Sequence, residues 1–440
     1  MIIKIIDKIL SFIILLILSP FFIILLLSQY FISKKIYNES PKILHFGIIN
    51  LEGTQKTGWS KQEIIEMFLL NTFFSEVINI YLDFESKHDK YIKFIDNLTF
   101  IDFSVHPQNK LEKLGLKRLN TIYVELKILF KIYRIIIKKK ISIIQAFNPH
   151  IHGINAFILS SLTRCPYIIQ VCSNYEEKDR QAKGLANPFF KFAPIERFVE
   201  RFIMKRANLV IADRDNYINQ GIIPESCRKK YYNIGFYVNK HYYLELELRK
   251  NLKKELNLLN KKIMLYVGRL NPVKFVTDLI DCAELVFKQI ENTIMIIVGE
   301  GILRKELEEK SQTKKISDKI IFLGHKSHEY LANLYYTADV IVFPSAGFTI
   351  IEAALSNTPI VAYDFEWHGE FIENGITGIL VPFRDIKALS DAVLNVLSDV
   401  ELSLKLSKNA RIKALENYTY EKSFEKQKIM YEQLMKYHMK

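Results

Sequence analysis

The chain has 440 residues, which is enough for two domains of ordinary size, each with its own core. Its 61 lysines and arginines outnumber 48 aspartates and glutamates, and the net charge of +13 favours acidic partners. No zinc-finger spacing or RNA-binding motif accompanies this charge, so we expect no nucleic-acid partner. An anionic membrane surface or phosphorylated substrates explain the charge better, while a simple coding bias stays open as an alternative.

Four cysteines, Cys165, Cys172, Cys227 and Cys282, are scattered without a CxxC pair. This spacing argues against a disulfide framework and against a zinc site, and it fits a reducing compartment. The sequence therefore predicts no metal centre.

The first predicted element is a membrane anchor over residues 1–35. From Ile9 to Ile32 the chain is almost wholly apolar, which is long enough for one helix to cross a bilayer. The apolar region is too long for a cleavable signal, and no small-residue cleavage site follows it. Lysines flank both ends, so the positive-inside rule sets no orientation.

Ser19 and Pro20, at the midpoint of this segment, leave a second geometry open. Proline kinks a helix, and serine helps to satisfy the freed carbonyl, so the segment can bend and return to the same face. Lys4, Asp7 and the Ser19-Pro20 break resemble the re-entrant membrane helix of monotopic phosphoglycosyltransferases. The catalytic part of that family is not visible downstream, and both a straight span and a re-entrant hairpin remain open.

Past the anchor, strand-like and helix-like segments alternate over an N-terminal domain at 41–245. A strand begins at Lys42, and residues Ser60 to Glu63 form a capping box ahead of an apolar helical run at 64–70. Further strands are expected at 77–82, 141–146, 167–172 and 209–212, with helices at 120–139 and 154–162. This alternation predicts a parallel sheet covered by helices.

A second series of strands is expected at 263–267, 293–298, 320–322, 340–343 and 359–363, within a C-terminal domain at 262–420. The polar stretch 245–262 is the expected linker, and a helix at 421–440 is expected to follow the second domain. The predicted fold class is α/β, with two Rossmann-like domains facing a cleft and preceded by the N-terminal membrane helix.

A first chemical motif follows the strand at 263–267 and reads Gly268-Arg269-Leu-Asn271-Pro272-Val-Lys274. Asn271 suits a helix N-cap and Pro272 the first helical position, so Lys274 falls in the first turn. A helix dipole disfavours a cation there, and a bound anion would outweigh the repulsion. Helix amides and two cations suit a diphosphate, whereas the plain alternative leaves Arg269 and Lys274 as solvated surface residues.

A second motif, Gly347-Phe348-Thr349-Ile-Ile-Glu352, follows the strand at 340–343. Thr349 and Glu352 have capping-box spacing, so a purely structural role for Glu352 is open. The segment nevertheless lies at the carboxyl end of a predicted parallel strand, where ligands of open α/β sheets bind. A carboxylate at that edge accepts hydrogen bonds from ribose hydroxyls.

Gly299 and Gly301 follow the strand at 293–298 and open a helical run. Two such glycines often serve only a tight turn between strand and helix. In this context they also fit a close approach of the backbone to a nucleotide.

Residues 262–390 resemble the donor-binding half of GT-B glycosyltransferases, specifically glycosyltransferase family 4. The matching positions, in order, are Gly268-Arg269-Leu with Lys274, Gly299-Glu-Gly301, Tyr336 to Ser345, Glu352-Ala, Thr358 to Ala362 and Asn374 to Pro382. The N-terminal half matches more loosely, at 42–45, 144–153 and 166–174.

This resemblance implies that Arg269 and Lys274 hold the donor diphosphate and that Glu352 contacts the nucleotide ribose. The surrounding donor positions would be Gly268, Gly299, Gly301, Gly347, Phe348 and Thr349. It also implies metal-independent transfer with retention of anomeric configuration and no cofactor besides the nucleotide-sugar substrate. The acceptor would bind mainly on the N-terminal domain.

Two departures from the family pattern concern the sugar and the acceptor. Pro344 stands where the family usually has a second, sugar-contacting glutamate, and Cys172 stands where a histidine is common. Glu366, Trp367 and His368 are candidate replacements, with Trp367 stacking on a sugar face and its neighbours bonding sugar hydroxyls. In the alternative interpretation Trp367 packs in the core. If Trp367 and His368 contact the sugar, alanine at either position should raise the donor KM without unfolding the protein.

His150, His152 and Asn174 are the acceptor-side candidates, because they follow strands of the N-terminal domain. A histidine there would position or deprotonate an acceptor hydroxyl, although a structural role for at least one histidine is open.

Together these features predict a membrane-anchored glycosyltransferase with its catalytic domains on the cytoplasmic face. Its expected partners are a nucleotide sugar, a lipid-linked glycan acceptor of cell-envelope polysaccharide or glycolipid synthesis, and anionic lipid. Two rivals remain: an initiating phosphoglycosyltransferase, and a non-catalytic binding protein of the same fold. Release of nucleoside monophosphate would mark the first, and donor binding without turnover the second.

Overall fold

The computed structural model describes residues 41–47, 50–56, 61–69, 73–105, 116–172, 193–235, 238, 242 and 246–439. The predicted anchor at 1–35 lies outside these residues. Within the described ranges, no helix is long and apolar enough to span a bilayer. The described chain divides into two compact units: residues 41–172, 193–233 and 427–439 belong to the first, and residues 234–426 to the second.

The first unit is built on a sheet. Its described strands are β1 Lys42–Phe46, β2 Glu76–Asp83, β3 Lys90–Ile95, β4 Leu98–Ser104, β5 Ile143–Ala146, β6 Tyr167–Val171, β7 Leu209–Ala212 and β8 Tyr231–Asn233. They lie in the order β3-β4-β2-β1-β5-β6-β7-β8. Only β3 among them is antiparallel to its neighbour; the other pairings are parallel. Strands β2, β3 and β4 lie on one side of β1, and the chain then continues with β5 on the other side of β1.

Helices cover this sheet on both faces. They are α1 Leu51–Lys56, α2 Lys61–Leu69, α3 Lys117–Lys139, α4 Ile151–Thr163, α5 Ala193–Arg206 and α6 Asn216–Asn219. Ile132 of α3, Phe157 of α4 and Ile203 of α5 belong to one buried cluster with Leu44 and Ile144 of the sheet. These three helices therefore pack on the same face of the sheet, through apolar positions at helical spacing.

The second unit has a sheet in which all described pairings are parallel. Its strands are β9 Lys262–Val267, β10 Thr293–Val298, β11 Ile320–Gly324, β12 Val340–Phe343, β13 Ile360–Tyr363 and β14 Ile379–Val381. Their order, β11-β10-β9-β12-β13-β14, is that of a Rossmann fold. Strands β9, β10 and β12 read as continuous apolar runs because helices bury them on both faces.

The connections of the second unit are mostly helical. They contain α7 Thr277–Gln289, α8 Arg304–Thr313, α9 His328–Thr337, α10 Thr349–Leu355, α11 His368–Phe371, α12 Ile386–Ser398 and α13 Val400–Asn417. A final helix, α14 Tyr420–Met439, belongs to the second unit through Lys426 and to the first unit from Gln427 onward.

The predicted α/β class and the two parallel-sheet domains are confirmed, and the strands at 209–212, 293–298 and 340–343 have the predicted bounds. The sequence analysis missed the β3–β4 hairpin, whose turn is made by Asp96 and Asn97 between two short alternating runs. It also placed the linker at 245–262, whereas the second unit already begins at Ile234. Leu252 and Leu258 of the expected linker are buried in the core of that unit, which explains the difference.

Candidate functional site

The second unit has a topological switch point between β9 and β12. From β9 the chain proceeds to β10 and β11 on one side, then returns through α9 to β12 on the other side. The loops after β9 and β12 therefore diverge and leave an opening at the carboxyl edge of the sheet, the usual ligand position in open α/β sheets. The two predicted motifs are the loops that flank this opening.

The loop after β9 brings a cation to the opening. Asn271 and Pro272 take the predicted N-cap and first positions, but of a single 3₁₀ turn, Pro272–Lys274, and α7 begins only at Thr277. Lys274 is half-buried, and its Nζ donates to Ser345 Oγ of the loop after β12 across 3.5 Å. Arg269 is exposed, and its carbonyl accepts a bond from the Tyr266 hydroxyl. Two cations thus flank the switch point, one held by the facing loop.

Gly299 and Gly301 serve the packing of two loops. A Cβ on Gly299 would lie 1.9 Å from the Gly268 carbonyl oxygen, and one on Gly301 would lie 2.2 Å from the Leu270 oxygen. Backbone bonds from Gly268 N to Val298 O and from Leu270 N to Glu300 O close this contact. Both glycines shape the Arg269 loop, which is the tight-turn alternative of the sequence analysis. Direct nucleotide contact by these two glycines stays a prediction.

Alanine at Gly299 and at Gly347 is expected to separate the folding role from the ligand role. Gly299 has φ +133° and no room for a Cβ, so Gly299→Ala should lower the free energy of unfolding by roughly 3 kcal/mol or more. Gly347 has open space around its Cβ position, so Gly347→Ala should fold normally and weaken donor binding only if the donor occupies that space. Chemical denaturation and donor titration of both variants measure this, and equal stability of the two variants contradicts the assignment.

Glu352 is the central acidic residue of this edge, and it is buried beneath the opening. Its Oε2 accepts a hydrogen bond from the Tyr335 hydroxyl at 3.0 Å, and the Tyr242 hydroxyl also bonds its carboxylate. Burial raises the pKa of Glu352 to about 7, and the two tyrosine bonds oppose that rise. The predicted capping box is therefore wrong: α10 has no side-chain cap bond, because the Glu352 carboxylate turns toward the tyrosines.

A histidine extends this network. Tyr242 Oη lies 2.7 Å from His328 Nδ1. His328 is thereby connected to the Glu352 carboxyl through the Tyr242 hydroxyl. The sequence analysis found Glu352 but missed Tyr242, His328 and Tyr335. The matching family pattern begins one residue after Tyr335, at Tyr336, and no local signal connects Tyr242 to this edge.

Trp367 and His368 lie in the core, which corrects their predicted role as direct sugar contacts. Trp367 is 1% exposed and donates Nε1–H to the Ala346 carbonyl at 3.1 Å. His368 is fully buried, accepts from Ala346 N at 3.0 Å through Nε2, and donates Nδ1–H to the Tyr363 carbonyl. Both rings hold the loop at Ala346 in place. Only Glu366 of the proposed trio is exposed.

Removing His368 is now expected to affect stability as well as binding. His368→Ala leaves the Ala346 amide and the Tyr363 carbonyl without their partner and opens a cavity, so unfolding should become easier by about 2–4 kcal/mol. The donor KM should rise along with this loss, because the same loop carries Ser345 and Gly347. Thermal unfolding and donor kinetics test the expectation; a higher KM at unchanged stability would restore the direct-contact reading.

Two predicted acceptor residues lie in the first unit, at the start of α4. His150 donates Nε2–H to Glu200 at 3.0 Å, and His152 Nδ1 accepts from Asn148 Nδ2 at 3.0 Å. Burial lowers the pKa of each histidine to about 4. His152 therefore has its proton on Nε2 and suits donation of a hydrogen bond better than removal of a proton. Asn174, the third acceptor candidate, lies outside the described residues.

The described residues contain no group of three side chains arranged to hold a metal ion. Charged residues on the segments that flank the opening include the exposed Arg269, the half-buried Lys274 and the buried Glu352. Two cations beside a hydroxyl-binding carboxylate suit a ligand with an anionic part and a sugar-like part.

Fold and site together define a doubly wound α/β domain with two cationic residues, Arg269 and Lys274, on a loop at its switch point. Residues 249–413 match the family model described as glycosyl transferases group 1. The matched residues lie within the second unit, and this part of the chain is similar to that family.

Curated relatives of the chain include glycosyltransferases. Alpha-D-kanosaminyltransferase from Streptomyces kanamyceticus is 26% identical over 266 residues, which cover 58% of this chain and 67% of that protein. Glycogen synthase from Mycobacterium tuberculosis is 31% identical over 162 residues, covering 36% of this chain and 39% of that protein. The similarity therefore spans about two thirds of one relative and well under half of the other.

Solved structures share the two-domain architecture. Sucrose-phosphate synthase from Thermosynechococcus elongatus superposes with a TM-score of 0.71 at 20% identity, covering 91% of this chain and 100% of that chain. HepE from Anabaena, solved in complex with UDP-glucose, superposes with a TM-score of 0.65 at 17% identity, covering 90% and 99%. The predicted GT-B-like fold is confirmed by these likenesses.

Proposed function

We propose that the chain transfers a sugar from a nucleoside diphosphate donor to a glycan acceptor, as a retaining enzyme of glycosyltransferase family 4. The donor lies at the switch point of the second unit. Lys274 and Arg269 bind its diphosphate, and Glu352 binds the ribose hydroxyls. The observation that carries this proposal is the Lys274–Ser345 contact, which ties the cation to the opening between β9 and β12.

The chemistry needs charge stabilisation above all. The bond between the anomeric carbon and the diphosphate oxygen breaks, and a bond from the acceptor oxygen to the same carbon forms. Negative charge grows on the leaving diphosphate, where Arg269 and Lys274 stabilise it. The acceptor proton passes to the leaving phosphate oxygen, so no strongly basic side chain is required. We therefore propose transfer without a metal ion.

The proposed acceptor is a lipid-linked glycan of the cell envelope, reached from the cytoplasmic face of the membrane. The apolar segment from Ile9 to Ile32 and the net charge of +13 support membrane association. A curated relative from Staphylococcus aureus, 26% identical over 169 residues, is a poly(ribitol-phosphate) alpha-N-acetylglucosaminyltransferase, and its name supports a polymeric acceptor.

A panel of nucleotide sugars, including UDP-glucose, tests the donor assignment on the detergent-solubilised full chain. We expect one or a few donors to raise the thermal unfolding midpoint and to be hydrolysed slowly to nucleoside diphosphate. Arg269→Ala should lose this stabilisation, whereas Lys305→Ala should keep it, because Lys305 is an exposed cation on α8 whose ammonium lies 3.6 Å from a Glu309 carboxylate oxygen. Equal donor binding by Arg269→Ala refutes the diphosphate assignment.

The products distinguish the rival functions. Nucleoside monophosphate release would identify a phosphoglycosyltransferase instead, as the resemblance of the N-terminal segment suggests. Tight donor binding without turnover on any lipid-linked acceptor would identify a binding protein.

A further inference from the structure

The outer side of the helical layer in the first unit exposes large apolar side chains. Phe130 of α3 is 62% exposed and Phe198 of α5 is 69% exposed. The helices share one core cluster, and α4 contacts both α3 and α5, so their other sides face outward together. We call this surface the outer helical face; its exposed apolar residues are Tyr123, Leu126, Phe130, Ile137, Leu162 and Phe198.

On α3 the exposed apolar side chains and the exposed cationic side chains lie in two adjacent sectors of the helix surface. At about 100° per residue, Leu126, Phe130 and Ile137 fall within one sector, and cations fall within the adjacent sector. Those cations are the exposed Lys127, Arg134 and Lys138. An apolar stripe bordered by cations is typical of a helix that lies at a membrane interface.

Two other lysines of α3 do not contribute to this surface. Lys131 pairs with Asp89, and Lys139 pairs with Glu76 at 2.7 Å. Two of the lysines in the basic segment 131–140 are therefore neutralised by ion pairs and add no net positive charge to the solvent-facing side of α3.

The same combination recurs on α5. A groove there is lined by Arg197, Phe198, Arg201, Phe202 and Lys205. The rings of Phe198 and Phe202 stack with centroids 6.3 Å apart, one helical turn from each other, and the cations alternate with them. Aromatic rings beside long cationic side chains suit the headgroup level of a bilayer.

We propose that the outer helical face docks on an anionic lipid bilayer, with Phe130 and Phe198 entering the acyl boundary and the cations contacting headgroups. The proposal rests on the proposed membrane association, but it does not depend on sugar transfer. It gives the chain a second membrane contact besides the apolar N-terminal segment, and it fixes which side of the first unit faces the lipid.

Charge complementarity selects a bilayer over other occupants. Helix α4 contains no acidic residue, and the one acid of α3, Glu125, accepts a bond from Asn155 of α4. Glu200 of α5 turns to His150. The described side chains that face outward beside the apolar stripe are thus cationic or neutral, which matches lipid headgroups of negative charge.

A fluorescent probe at single cysteines tests this docking on the full chain, reconstituted in vesicles with brominated acyl chains. Cys172 is first changed to serine, since the other three natural cysteines are buried. Phe130→Cys and Phe198→Cys carry the probe, and Leu404→Cys on α13, 61% exposed, is the matched control. We expect quenching at 130 and 198 that is several-fold stronger with phosphatidylglycerol than with phosphatidylcholine alone, and none at 404.

Three results would overturn the proposal. They are equal quenching at all three positions, quenching indifferent to anionic lipid, and probes at 130 and 198 already shielded before vesicles are added. The last result would mean that residues 9–32 or 173–192 of the chain cover the face instead.

Charge reversal supplies a second test. Arg201→Glu with Lys205→Glu should reduce quenching at 198 several-fold while stabilisation by UDP-glucose, measured on the same sample, stays unchanged. Unchanged quenching argues against docking. If the chain without these two substitutions does not bind the donor, that result contradicts the proposed function and leaves the docking untouched. The two failures are therefore distinguishable.

Discussion

Replacing Lys274 with alanine is expected to lower kcat/KM for sugar transfer by roughly 10²–10³-fold, the usual effect of removing one group that stabilises a developing anion. Lys274 Nζ lies 3.5 Å from Ser345 Oγ, at the opening where the leaving diphosphate would gain its charge. The reaction rate with saturating acceptor, followed by nucleoside diphosphate release, measures the change.

Two comparisons isolate the charge of Lys274. Lys305→Ala removes a cation from the same unit away from the opening and should keep full activity. Lys274→Ala should unfold at nearly the wild-type temperature, because the side chain is only half-buried. Activity within about threefold of wild type in Lys274→Ala would remove this residue from the proposed machinery.

Donor affinity is expected to rise with pH through about 7 and to lose that dependence in Glu352→Gln. Above pH 7 the Glu352 carboxyl is ionised, and the proposed ribose contact would then add hydroxyl donors to those of Tyr335 and Tyr242. Hydrogen bonds to a charged group contribute about 1.5–3 kcal/mol, so Glu352→Gln should weaken donor binding roughly 10–100-fold at pH 8. Calorimetric titration of the donor between about pH 5.5 and 8 brackets the raised pKa of Glu352. It measures both the pH dependence of donor affinity and its loss in Glu352→Gln.

The free energy of unfolding is expected to fall as pH rises, in contrast to donor affinity. Burial raises the folded-state pKa of Glu352 from 4.5 to about 7, so folding favours the protonated carboxyl. Its contribution to the free energy of unfolding is complete below about pH 4.5 and is lost as pH rises through 7, by up to about 3 kcal/mol. Glu352→Gln should lack this decline. If binding and stability of the wild-type chain rise together, Glu352 is not the titrating group.

Tyr335→Phe offers a control for the same network. It removes one hydroxyl that favours the ionised carboxylate, so the midpoint of donor binding should move to higher pH without loss of the ring that packs beside Tyr242. A midpoint that does not move would separate the pH dependence from Glu352.

The sequence by itself determined the elements of the second unit and the positions that flank its opening. Mostly apolar runs at 263–267, 293–298 and 340–343 have the length of buried strands, and the segments that follow parallel strands meet at one edge of a sheet. Arg269, Lys274 and Glu352 could therefore be assigned to one edge from local patterns, and the family resemblance implied that they share one donor site.

Only the tertiary structure decided what these side chains contact. Thr349 and Glu352 satisfy the capping-box spacing, yet the Glu352 carboxylate bonds Tyr335 and Tyr242, which other segments bring to it. From the sequence, Trp367 and His368 fit a core position and a sugar contact equally well. In the structure both side chains are buried and hydrogen-bonded to the backbone of Ala346. The physical reason is common to these cases. Periodicity and spacing report local geometry, whereas the partner of a buried polar group depends on which distant segments the fold brings within hydrogen-bond distance.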